Sequence, residues 1–317
     1  MATAPFTQNP SMTAVAVAYK QGNLIADDVL PRIPVDGEKF SYMLYPQGEG
    51  FTVPETLVGR KGKVAEVEFT STEVPSKTED HGLDAPVPNS DVLNYESARR
   101  QGNKTLIDPR LRATSMLTQL VMTRREKRTA DLVLDPANYA VANKLVLSGT
   151  SMWSDYVNSD PAYAIAEAID NMFLRPTLAV FSRKVWSKLS RHPKLRYAVF
   201  GDGGSQGQIS RQQFADLFEL PNLPLIGEGW LNTAAKGQPV NMVRIWGTSA
   251  AFLHRDMNAD NQYGTTFGFT AEHGTRVAGT IEDPDMGIRG GQRARVGESV
   301  KELITAPDLG FLFSNAV

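Results

Sequence analysis

The 317-residue chain carries 33 Lys plus Arg against 35 Asp plus Glu, and this net charge of −2 excludes a protein that coats nucleic acid through a large positive field. Apolar residues make up 41 % and charged residues 21 %, ordinary globular usage, so the chain should fold, and its length suggests about two domains. The absence of cysteine excludes disulfides, thiolate nucleophiles and cysteine-ligated metals. No stretch approaches the ~18 apolar residues of a membrane span, and residues 1–9 lack the charged start and apolar run of a signal peptide. A soluble product made in the cytoplasm is expected.

In chain order, residues 1–35 read as an arm. Pro5, Pro10, Gly22, Pro31 and Pro34 cut it into apolar pieces too short to close a core, so Val15 and Val17 need cover from elsewhere. Residues 39–46 and 63–71 read as extended, the second through alternation of Ala65, Val67 and Phe69 with Glu66 and Glu68. Between them, Gly48, Gly50, Gly59 and Gly62 punctuate a long hairpin tip with charges of both signs, including Glu55, Arg60 and Lys61, and apolar Phe51, Val53 and Leu57. Loops of this length without a core are usually functional or disordered.

Asp108-Pro109 marks the best-defined helix, an N-cap followed by proline at the first helical position, and Asp135-Pro136 ends it. The helix over 109–134 would be a rod of roughly 39 Å. Leu117, Leu120 and Val121 form its apolar stripe, whereas Arg124, Arg125, Glu126, Lys127 and Arg128 charge its latter half, as a salt-bridged or subunit-facing surface. Helical patterns over 161–173, 183–190 and 209–220 alternate with strand patterns over 177–181 and 241–246, an α/β-type unit. Residues 267–271, 277–282 and 293–305 read as strands returning toward the spine.

Catalytic frames are absent: there is no G-x-S-x-G, H-E-x-x-H or G-x-x-x-x-G-K-[ST] motif, and His81, His192, His254 and His273 sit beside turn formers or charges. The Gly-rich stretch 201–207 lacks the lysine of a phosphate loop. Asp256, Asn258 and Asp260 open like a calcium loop, but Asn261 and Phe267 stand where its glycine and bidentate glutamate belong. The acidic groups around Glu79, Asp80, His81 and Asp84 and around Glu282, Asp283 and Asp285 read as solvated turns. No catalytic residue, cofactor or metal is expected.

A set of segments in fixed order carries a resemblance. These are the arm with Asn23-Leu24-Ile25-Ala26-Asp27 and Val29-Leu30-Pro31-Arg32-Ile33-Pro34-Val35; the spine with Leu117-Thr118-Gln119-Leu120 and Arg124-Arg125-Glu126; Leu147-Ser148-Gly149-Thr150-Ser151-Met152-Trp153-Ser154-Asp155; residues 179–186; Ile226-Gly227-Glu228-Gly229 with Asn232-Thr233-Ala234; and the ending Ala306-Pro307-Asp308-Leu309-Gly310-Phe311-Leu312-Phe313. Together they span nearly the whole chain, which resembles the tailed-bacteriophage major capsid proteins of the Hong Kong 97-like fold. The resemblance implies an α+β chain with an N-arm (1–35), an extended E-loop hairpin (36–75), a P-domain (76–160, with the spine helix, and 266–317, with returning strands and C-terminus) and an α/β A-domain (161–265).

It further implies a homo-oligomeric icosahedral shell of hexamers and pentamers around double-stranded DNA, in a virion assembled in the bacterial cytoplasm. Val15, Val17, Phe51, Val53, Glu55, Leu57, Arg60 and Lys61 would meet neighbouring subunits, and Arg124, Arg125 and Arg128 are the spine charges. A separate scaffolding protein is implied because no long N-terminal helical extension is present; a portal, a decoration protein and non-specific contact with packaged DNA complete the expected partners, with no membrane. The lysine and asparagine positions of the type member's covalent cross-link have no counterpart, so a non-covalent shell is expected. The alternatives are an encapsulin-like nanocompartment and a two-domain α/β enzyme contacting substrate through 201–207.

Overall fold

The computed structural model describes residues 6–18, 24–44, 53–67, 72–103, 105–201, 207–235 and 237–317. Two sheets dominate. In the first, Gly268–Asp283 and Gly291–Ile304 form a long antiparallel pair, with Glu79–Pro88 on the far side of the second strand. The other side of Gly268–Asp283 receives two short arm strands, Thr7–Gln8 antiparallel and Arg32–Pro34 parallel. The segments expected as separate strands at 267–271 and 277–282 are one strand, and the gap between them is a register irregularity between His273 and Val277.

The spine helix, Pro109–Val133, lies on this sheet. Its start follows the sequence signal, since the Asp108 carboxylate accepts from Arg110 N at 2.9 Å. Thr114, Leu117, Thr118, Val121, Arg125, Thr129 and Val133 recur at three- and four-residue spacing on the buried face. Leu117 meets Ala294 and Val296 of the sheet in one apolar cluster that also contains Met12 and Ala16 of the arm.

In the second sheet the strands run Lys144–Val146, Gly310–Ser314, Ala250–Leu253, Leu178–Ser182 and Leu225–Gly227. The three central strands are buried at every position, which is why they read as unbroken apolar runs. Helices Pro161–Asp170, Arg183–Leu189, Pro193–Phe200 and Arg211–Leu217 accompany this sheet. Phe181 is edge-on to both Phe214 and Phe252, with ring centroids at 5.3 and 5.7 Å. The C-terminal strand Gly310–Ser314 thus belongs to the α/β unit rather than to the sheet beside the spine.

Four departures from the sequence reading have physical causes. The outgoing strand of the hairpin is Thr72–Lys77, paired from Lys39↔Lys77 to Leu44↔Thr72, and the alternating stretch 63–67 is exposed and outside any strand. Helix Asn89–Arg100 was masked by its polarity, since it buries only Val92. The arm finds cover on its own subunit: Pro10–Ala18 is a helix that buries Met12 and Ala16, and Ile25, Val29, Leu30 and Ile33 are buried further on. Gly279 permits this close approach, because a Cβ there would stand 2.1 Å from Thr7 O. Finally, of the two readings of the charged half of the spine, the subunit-facing one does not hold at Arg125 and Glu126, which are buried within their own subunit.

Candidate assembly surface

Residues 53–67 leave the two-stranded hairpin without regular structure of their own. Val53 is 95 % and Leu57 85 % exposed, and Val58, Val64 and Val67 are exposed with them. Glu55 accepts from Leu57 N at 2.9 Å, and Gly62 N donates to Gly59 O at 2.7 Å, closing a turn that puts Arg60 and Lys61 at its tip. Phe51 lies outside the described residues. On the arm, Val17 is exposed and Val15 half-buried. A scattered exposed valine is ordinary, whereas here several apolar side chains are exposed together on one segment.

The root of this surface is tied down. Met43 N donates to Asn261 O at 3.2 Å and Asn261 Nδ2 donates to Ser41 O at 3.2 Å, fixing the hairpin base to the 256–265 loop. Asp256 and Asp260 of that loop accept backbone N–H groups of Asn258, Gln262 and Tyr263, the solvated-turn role.

The spine charges divide. Arg124 is exposed. Arg125 points inward to Asp27, to Thr270 Oγ1 at 3.0 Å and to Leu30 O at 3.5 Å, and Arg128 pairs with Glu302 at 3.0 Å. Arg32 of the arm binds Asp27 at 2.8 Å, Glu272 at 2.5 Å and Glu298 at 3.0 Å; Arg276 shares Glu298 at 3.0 Å and donates to Ala16 O at 2.9 Å. Arm, spine and first sheet are therefore joined by one ionic network, buried at Arg125, Arg276 and Glu298 and open to solvent at Asp27. Burial alone would raise the Glu298 carboxyl, but Arg32, Arg276 and Arg125 outweigh it and hold the group below its usual range. Asp27 is lowered in the same way, against its own burial, by Arg125 and Arg32.

Glu126 is different. Burial pushes its carboxyl up, against hydrogen bonds from Ile25 N, Trp246 Nε1 and Ala26 N. No local pattern showed that Asp27 meets Arg125 or that Glu126 meets Trp246, because these partners lie 98 and 120 residues apart in the chain.

Three of the histidines make hydrogen bonds within the subunit. His192 Nδ1 accepts from Lys194 N at 3.3 Å, so Nε2 carries the proton and donates to Ser159 Oγ at 2.9 Å, while Ser159 donates onward to Asp155 O. That polarity is the reverse of a base activating a serine. His254 meets Arg175 O at 2.8 Å and His273 meets Val35 O at 3.4 Å. Residues 202–206 of the Gly-rich stretch lie outside the described residues. Among the described residues, no group of three or more His, Asp or Glu is arranged to hold a metal ion, and no helix is long and apolar enough to cross a membrane.

No protein-family model matches the chain. It is 49 % identical over 317 residues to the major capsid protein of Pseudomonas phage JBD67, covering 100 % of this chain and 99 % of that one. Its fold is similar to a phage-related protein from Bordetella bronchiseptica RB50, at TM-score 0.72, 21 % identity and 98 % coverage of both chains. It is also similar to the capsid of cyanophage P-SCSP1u, at TM-score 0.59 and 10 % identity, covering 94 % of this chain and 89 % of that one. With a relative at that identity over the whole chain and a Hong Kong 97-like fold, the chain belongs to the phage major capsid proteins and is a component of the virion.

Proposed function

We propose that the chain builds its shell by laying residues 53–67 over an adjacent subunit, so that Val53 and Leu57 are buried only on assembly. The observation that carries this reading is their near-complete exposure, 95 % and 85 %, on a segment that finds no cover among the described residues. Fully burying two such side chains contributes about 3–6 kcal/mol per subunit, and repetition by symmetry turns that modest contact into a resistant shell. Arg60 and Lys61 at the turn, and Glu55 ahead of it, can pair with charges on the neighbour, and Val17 and Arg124 offer further contacts.

The shell is icosahedral, made of hexamers and pentamers around double-stranded DNA, non-covalent, and works without a catalytic step; the reversed Ser159–His192 polarity supports that last part. Assembly draws on a separate scaffolding protein and a portal, with room for a decoration protein, and packaged DNA is met through its backbone without sequence readout.

The test is a Val53→Asp, Leu57→Asp double variant, produced with its scaffold and examined by negative-stain microscopy and light scattering. The reading expects a folded subunit with unchanged circular dichroism and no shells. Shells at wild-type yield would overturn it.

A further inference from the structure

The carboxylate of Glu126 is a meeting point of three parts of the chain. It sits on the spine helix with no solvent exposure and accepts from Ile25 N at 3.0 Å, from Ala26 N at 2.7 Å and from Trp246 Nε1 at 2.5 Å. Ile25 and Ala26 open the arm's one-turn helix Ala26–Val29, whose start has no side-chain cap of its own. Trp246 follows strand Met242–Arg244, which pairs with Trp230–Asn232 in a two-stranded hairpin of the α/β unit.

The adjacent spine residue completes the grip. Arg125 holds Asp27 within the turn and the carbonyl of Leu30 just past it, so consecutive spine residues take the two ends of one arm turn, the anion at the N–H end and the cation at the C=O end.

We propose that Glu126 is a three-way latch which makes the seating of the arm on the spine and the position of the Trp246 hairpin a single event. The reason is the cost of partial satisfaction. A buried carboxylate that loses one of its donors is left under-satisfied where water cannot replace the bond, so its seated state costs more and opening of the other partners, which lets water reach it, costs less. Arg125, the charged group on the same helix, is engaged by Asp27 and Thr270 and does not substitute for the missing donor.

The seat of the indole is narrow, since a Cβ on Gly227 would stand 2.0 Å from Trp246 Cδ1. The hairpin itself is partly open to contact, with Trp230 and Met242 each 48 % exposed. A push on that hairpin is therefore felt at the arm, and by linkage the reverse holds.

The latch is a property of the single subunit, so its test does not depend on how residues 53–67 engage a neighbour. Gly227→Ala displaces the indole without adding an atom to the arm or Glu126, and Trp246→Phe removes the N–H donor, with part of the ring volume, while keeping an apolar ring. Amide hydrogen exchange of the unassembled subunit, followed at Ile25 and Ala26, is expected to quicken at least tenfold in both variants. If Gly227→Ala does not fold, Trp246→Phe carries the same test alone. Exchange at Ile25 and Ala26 within twofold of wild type in Trp246→Phe would mean that arm and hairpin are held separately, and the latch would be wrong.

Discussion

Replacing Glu298 by Gln tests whether the buried ionic network holds arm, sheet and spine together. The Glu298 side chain is fully buried, and its Oε2 accepts from Arg32 and Arg276, each at 3.0 Å, while Oε1 has no hydrogen bond. The amide keeps the shape and one acceptor but removes the charge. Arg32 retains Asp27 and Glu272, so the stranded cation is Arg276, left with the Ala16 carbonyl.

Removing one partner of a buried pair costs about 3–5 kcal/mol. The surviving acceptor and the retained partners of Arg32 reduce this to about 2–3 kcal/mol. An unfolding entropy of about 2.1 cal/mol/K per residue gives roughly 0.7 kcal/mol/K for a chain of this length, and hence a fall in Tm of about 3–4 °C. The assay is thermal and urea unfolding of the unassembled subunit, with Glu96→Gln as control. Glu96 faces Arg100 at 3.5 Å on the surface, where loss of the pair is worth under about 0.5 kcal/mol. Equal stability of the two variants would refute the assignment of the network as a structural joint.

Two further outcomes follow from the same geometry. Because the Glu298 carboxyl is lowered in the folded state, its stabilisation is present above the ordinary value of 4.5 and is lost as pH falls through the depressed folded value. Acid titration of Tm should therefore be steeper for wild type than for Glu298→Gln, and superimposable curves would contradict it. Met12→Asp places a charge in the cluster shared with Leu117 and Val296. Limited proteolysis should then remove the arm ahead of residue 24 while the remainder resists, whereas a wild-type digestion pattern would show that the arm helix is not held by this contact.

Much of the frame was legible because its signals are local. Asp108-Pro109 and Asp135-Pro136 bracketed the spine to within one residue of Pro109–Val133, and the strand read over 177–181 from its apolar run overlaps the buried strand Leu178–Ser182. Strand Thr72–Lys77 was hidden by Pro75, which is tolerated because a two-stranded hairpin has only edge strands. The place of Gly310–Ser314 depends on pairing with Ala250–Leu253 some sixty residues earlier, a contact no local pattern encodes.

The candidate surface was legible in part. Val53, Leu57, Arg60 and Lys61 are exposed, whereas the run of charges from Arg124 to Arg128 was legible only as a salt-bridged or subunit-facing side of the helix. Two of its members instead turn inward, because Asp27 and the backbone N–H groups of Ile25 and Ala26 arrive from about a hundred residues upstream.

A cryo-EM reconstruction of the assembled particle measures the central claim directly. The account predicts that residues 53–67 lie across an adjacent subunit with Val53 and Leu57 out of contact with solvent. A shell in which this segment stays in solvent, or folds back along the subunit that carries it, would contradict the account.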